Sequence, residues 1–119
     1  MKIFIINRIK SIGYAFKGAY LLFKKEASIQ IQTVIAILTI IAGFYFEISA
    51  TEWAIQLLTV ALIMGIEGVN TAIEEMADFI HPDYDQHIGR IKDISAGAVF
   101  IVAIVAMVIG AIIYFPKIF

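Results

Sequence analysis

The sequence contains no cysteine, which excludes disulfides and thiolate metal sites and leaves the redox compartment undetermined. Charge is sparse: Asp, Glu, Lys and Arg make up 16% of the 119 residues, and the net charge is −1. The basic residues form no basic domain, so no nucleic-acid partner is expected. No G-x-x-x-x-G-K-[ST] segment occurs, and no strand pattern precedes one, so a conventional phosphate-cradling loop is excluded. Linkers, internal repeats and low-complexity stretches are missing too. What is abundant is apolar surface: 61% of residues are hydrophobic and the mean hydropathy is +0.92, outside the range of soluble globular domains. A chain this short has too little volume to hide so much of it, so the excess faces lipid or identical subunits.

Ile5, Ile9, Ile12, Phe16, Ala19 and Phe23 recur at spacings of three and four, with Lys10, Lys17 and Lys24 as a basic flank. This predicts an amphipathic helix over about 2–25, lying in the membrane interface with its lysines near anionic head groups. Packing of the same face on other protein is the plainer alternative. Because the first uninterrupted apolar run begins only after about 30 residues, no cleaved signal peptide is expected.

Three spans are predicted, over about 29–46, 53–79 and 93–115, making with the surface helix one all-α membrane domain over 1–119. The second opens at Trp53, an aromatic suited to the interface, and is mostly apolar only to Ile66. That stretch rises roughly 21 Å against a hydrocarbon core of ~30 Å, so the helix must cross through the polar residues that follow. Glu47–Glu52 reads as a short polar loop, His81–Arg90 as an exposed one, and Pro116 with Lys117 as the exit of the third span. Six lysines and arginines lie in the first 25 residues and Arg90 and Lys92 follow the second span, while the loop at 47–52 has none. The positive-inside rule then puts the N-terminus in the cytoplasm and the C-terminus outside.

Glu67, Asn70, Glu74 and Asp78 are spaced three, four and four, which places them within an arc of roughly 80° on one helix face. Ionisable groups in a span cost about 2.5–3.5 kcal/mol each and face a protein interior, a partner charge or an ion. Lys92, the lysines of the first helix, or a bound divalent metal are the cations that can offset them. Oxygen-only donors favour Mg²⁺, which binds through one or two carboxylates and substrate phosphates. A glutamate at the lipid boundary then suits the role of general base on a lipid hydroxyl. The competing reading is a stripe that merely solvates the end of an emerging helix. His81 and His87 are not expected to share a metal, and Ser95, Ala96, Gly97 and Ala98 read as small residues for close helix packing.

Glu67-Gly-Val-Asn70-Thr-Ala-Ile-Glu74-Glu-Met-Ala-Asp78, followed by Gly89-Arg90-Ile-Lys92-Asp93-Ile-Ser-Ala-Gly-Ala98-Val99, resembles the E-x-x-N-[ST]-A-I-E-x-x-x-D and K-D-x-x-[AS]-[AG]-A-V signatures of the bacterial diacylglycerol kinase and undecaprenol kinase family. Gly13-Tyr14-Ala-Phe16-Lys17-Gly18 and Glu26 extend the likeness over nearly the whole chain. The resemblance implies an ATP- and Mg²⁺-dependent kinase of a membrane lipid alcohol in the bacterial inner membrane, a homotrimer with composite sites between subunits. By position it implies Glu67 as general base, Glu26 and Glu74 as metal carboxylates, and Asn70 and Asp78 as ordering residues. For the nucleotide it implies Tyr14, Glu26, Glu74, Asp83, Tyr84, Asp85, Lys92 and Asp93, with Arg8 matched after a one-residue shift. Ser28 and Gln32 depart from the pattern, standing where many relatives have an asparagine and a histidine or acid. The alternative from a different class is a non-enzymatic oligomer that binds or conducts divalent cations.

Overall fold

The computed structural model describes residues 1–119 as four helices: α1 Lys2–Lys25, α2 Ala27–Tyr45, α3 Ala50–Ile80 and α4 Gln86–Ile118. No strand is present, as the apolar periodicity requires, and α2, α3 and α4 are each long and apolar enough to cross a membrane. The molecule is flat, 50 × 48 × 22 Å. α1 buries no residue, as suits a helix whose apolar face awaits lipid.

α1 gives way to α2 at Glu26, whose extended backbone (φ −98°, ψ 114°) breaks the helical run. Gln30 Nε2 reaches back across this elbow to the carbonyls of Phe23 and Lys24, at 3.2 and 3.1 Å. Two carbonyls orphaned at the end of α1 are thereby satisfied. Glu26 precedes α2 as its N-cap, yet its side chain makes no capping bond, so the carboxylate is free for another use.

α3 and α4 form an antiparallel hairpin. At one end Lys92 Nζ meets Asp78 Oδ1 at 2.5 Å; at the other Lys117 Nζ meets Glu52 Oε2 at 3.1 Å. α2 packs on the second end, where Gln56 Nε2 and the Tyr114 hydroxyl both donate to the Thr39 carbonyl at 3.1 Å. Gln56 Oε1 lies against the same hydroxyl, whose single proton is shared between it and the Thr39 carbonyl. Below this knot the three spans enclose an apolar cavity of about 380 Å³ that runs from Gln56 to Ile63 along α3. Gly43 of α2 lies against Trp53, and a Cβ there would stand 2.7 Å from the indole ring.

Three loop expectations change. The segment 47–52 is not all loop: Ser49 and Glu52 form a capping box, the Ser49 hydroxyl accepting from Glu52 N–H and Glu52 Oε1 from Ser49 N–H. That pair starts α3 at Ala50. Likewise Asp85 caps α4, its carboxylate accepting from His87 and Ile88 N–H at 2.9 and 3.4 Å, which makes Gln86–Arg90 helical rather than loop. α4 also continues through Pro116 to Ile118. Proline costs one N–H bond there, and so near a helix end the loss is small.

Only 11 of 119 residues are buried, and large apolar side chains stand exposed on every helix. On α3 the exposed set Ile55, Leu58, Leu62, Gly65, Val69, Ala72, Met76 and Phe79 alternates spacings of three and four. These spacings keep the set along one side of α3.

Candidate functional site

Two members of the α3 stripe, Asn70 and Asp78, meet α4 at the end of the hairpin nearest the α3–α4 loop. Glu67 is 8% exposed. Its carboxylate enters neither ion pair, and the one hydrogen bond made at this residue beyond the helix ladder is the Thr71 hydroxyl donating to its backbone carbonyl at 3.1 Å. Next to it, Leu22 of α1 leans on α3 so closely that a Cβ at Gly68 would stand 3.0 Å from Leu22 Cδ1. The glycine after Glu67 thus admits the end of α1, and Glu26 follows one turn beyond Leu22, its N–H bonded to the Leu22 carbonyl at 3.0 Å.

One turn along from Glu67, Asn70 Nδ2 donates to Glu74 Oε1 at 3.2 Å. The hydroxyl of Ser95 on α4 donates to Asn70 Oδ1 at 2.7 Å. Asp78 closes the stripe through Lys92, an exposed contact whose side chains keep 36% and 59% of their surface; pairs of that kind stabilise by about 0–1 kcal/mol. Lys92 is therefore the cation that answers the stripe from within the chain, and it answers only the outermost carboxylate.

Beyond the stripe, the loop and the first turns of α4 form an open polar hollow of about 470 Å³. Tyr84, Arg90 and Asp93 line it together with Gln86, His87 and Gly89. The Tyr84 ring folds over Gly89, where a Cβ would meet it at 3.2 Å. Asp83 is exposed, and its carbonyl lies 2.7 Å from His81 Nδ1. Asp85 gives one carboxylate oxygen, Oδ2, to the helix cap.

The structure thus joins Asn70 to Glu74 and Lys92 to Asp78 and groups Tyr84 with Asp93. Arg8 and Tyr14 stay apart on the exposed α1, where the Arg8 guanidinium sits 5.4 Å from the centre of the Phe4 ring. His87 and Arg90 in the hollow, and Ser95 on Asn70, were not among the expected site residues. The small size of Ser95 had suggested packing, and no local signal pairs a hydroxyl with an amide 25 residues away.

The donors suit a hard cation. All are carboxylate or amide oxygens, and no group of three or more acids and histidines converges into an all-protein cage.

Residues 13–114 match the family model for prokaryotic diacylglycerol kinase. The undecaprenol kinase of Bacillus subtilis is 34% identical over 113 residues, covering 94% of this chain and 92% of that protein. The diacylglycerol kinase of Escherichia coli K12 is 31% identical over 105 residues, 88% of this chain and 86% of its own. That of Haemophilus influenzae is 31% identical over 112 residues, 93% and 95% respectively.

Proposed function

The chain belongs to the prokaryotic diacylglycerol kinase family, and on that premise we propose that this lipid kinase of the bacterial membrane transfers the γ-phosphoryl group of ATP to the hydroxyl of a membrane lipid at the cytoplasmic interface. Relatives named for diacylglycerol and for undecaprenol are about equally similar, and both alcohols present a hydroxyl at the interface on a hydrocarbon body.

Glu67 carries this reading. It is a buried residue whose carboxylate makes no hydrogen bond or ion pair in the chain, one helical turn from the apolar cavity at Ile63 on one side and from Asn70 on the other. A lipid hydroxyl arriving from the hydrocarbon side meets it first. Glu67 takes the hydroxyl proton as the oxygen bonds to the γ-phosphorus, and the bond from that phosphorus to the bridging oxygen breaks to release ADP. Glu74, steadied by Asn70, and Glu26 at its uncapped elbow would hold Mg²⁺. When bound, the ion neutralises phosphate charge and orients the nucleotide. Lys92, Asp93, Asp83, Tyr84 and Asp85 serve the nucleotide from the loop and α4, Tyr14 and Arg8 from the surface helix, and Asp78 holds Lys92 in place.

A homotrimer with sites between copies agrees with the apolar side chains left exposed along α3. The N-terminus in the cytoplasm follows from the distribution of lysine and arginine. Conduction of divalent cations finds no continuation at the far end of the spans, where Gln56, Tyr114 and the Thr39 carbonyl satisfy one another above a mainly aliphatic cavity.

The test is transfer of radiolabelled phosphate from ATP in mixed micelles containing either lipid. Label should enter at least one of the two alcohols with wild-type protein and be lost with Glu74→Ala. No transfer to either lipid would remove the kinase assignment for this chain.

A further inference from the structure

Ser95 behaves unlike the other hydroxyls that bond from within a helix. Ser11, Thr33, Thr39, Thr59 and Thr71 each donate to a carbonyl of their own helix three or four residues back, the common local use of such groups. Ser95 is 8% exposed and donates instead across the α3–α4 interface, to Asn70 Oδ1. With its oxygen so engaged, the Asn70 amide turns its nitrogen along α3 to Glu74 Oε1. The opposite amide orientation would set oxygen against carboxylate, two acceptors with no proton between them.

We propose that Ser95 is a positioning residue that orients the Glu74 carboxylate for the divalent cation of the nucleotide by fixing the Asn70 amide between them. Serine supplies a donor, asparagine converts it into a second donor one helix away, and Glu74 receives it on Oε1, while Oε2 makes no hydrogen bond in the chain. Near the membrane boundary the low dielectric strengthens such a chain of bonds and penalises its interruption. Groups that orient a metal ligand from behind change metal affinity by about 10–100-fold when removed. The inference rests on the metal role proposed for Glu74.

The experiment is Mn²⁺ titration of the full-length protein in detergent micelles with a non-hydrolysable ATP analogue, followed by the electron paramagnetic resonance signal of free Mn²⁺. Ser95→Ala should weaken binding about tenfold, while Ser95→Thr, which keeps the hydroxyl, should stay within about threefold of wild type. On an Asn70→Ala background, Ser95→Ala should add less than about twofold, because the two residues act in series. In turnover, half-saturating Mg²⁺ should rise with kcat at saturating Mg²⁺ little changed, a split that loss of folding would not give. Wild-type Mn²⁺ affinity in Ser95→Ala, or full additivity with Asn70→Ala, would overturn the role of Ser95. Wild-type affinity in Glu74→Ala would instead remove the metal role on which it rests.

Discussion

The α3–α4 hairpin carries a lysine–carboxylate bridge at each end, and the surroundings of the two bridges differ. At the end near the α2–α3 turn, Glu52 accepts from both Lys117 and the Ser49 backbone, and Gln56, Tyr114 and the Thr39 carbonyl share three hydrogen bonds. Each of these polar groups has its partner in the chain. At the other end, seven carboxylates lie between Glu67 and Asp93 against Arg90 and Lys92 as the fixed cations, and the most buried of the acids, Glu67, has none of them. Folding accounts fully for the first end. The second leaves the Glu67 carboxylate without a hydrogen bond or ion pair in the chain and sets more acids than cations together, the arrangement on which the proposed kinase site rests.

Substitutions at the two ends should therefore fail in different ways. The largest effect is expected at Glu67→Gln, with turnover reduced about 10²–10⁴-fold, the usual contribution of a general base. The two bridges provide the sharpest contrast. Lys92→Met should raise the KM for ATP about tenfold or more, since a hydrogen bond to a charged group contributes about 1.5–3 kcal/mol. Lys117→Met, a change of the same chemistry, should leave KM and kcat alone and lower the thermal midpoint only slightly. Equal effects of the two on ATP would erase the distinction between the ends. Gly43→Ala should lower the thermal midpoint, by strain of about 1–3 kcal/mol against Trp53, without changing the KM of either substrate. The smallest effect is expected for Tyr114→Phe, about 0.6 kcal/mol, as for other hydrogen bonds between membrane helices.

The helices and their apolar faces were legible in the sequence because hydropathy over a span is a sum of many like contributions, and the α3 stripe because its members are three and four residues apart on one helix. Ser49-Ala-Thr-Glu52 could have been read as a helix start from its capping-box spacing, and Asp85 from its place before an apolar helix. Pairings between helices were not legible. Ser95 with Asn70, Tyr114 with Gln56 and Leu22 with Gly68 join residues 25, 58 and 46 positions apart, and only the rotation of one helix against another decides which of several small or polar residues meet. For the same reason Glu26 was assigned through a family likeness, and its place at an uncapped elbow next to Leu22 came from the structure.

The most direct test sets the two ends side by side: turnover and thermal midpoint of Glu67→Gln and Tyr114→Phe in the same micelles. Glu67→Gln should lose turnover at least about 100-fold with a midpoint at or above wild type, because a buried charge is removed. Tyr114→Phe should keep its turnover with a lower midpoint. Wild-type turnover in Glu67→Gln, or a comparable loss of turnover in Tyr114→Phe, would contradict the division of the molecule into a catalytic end and a structural one.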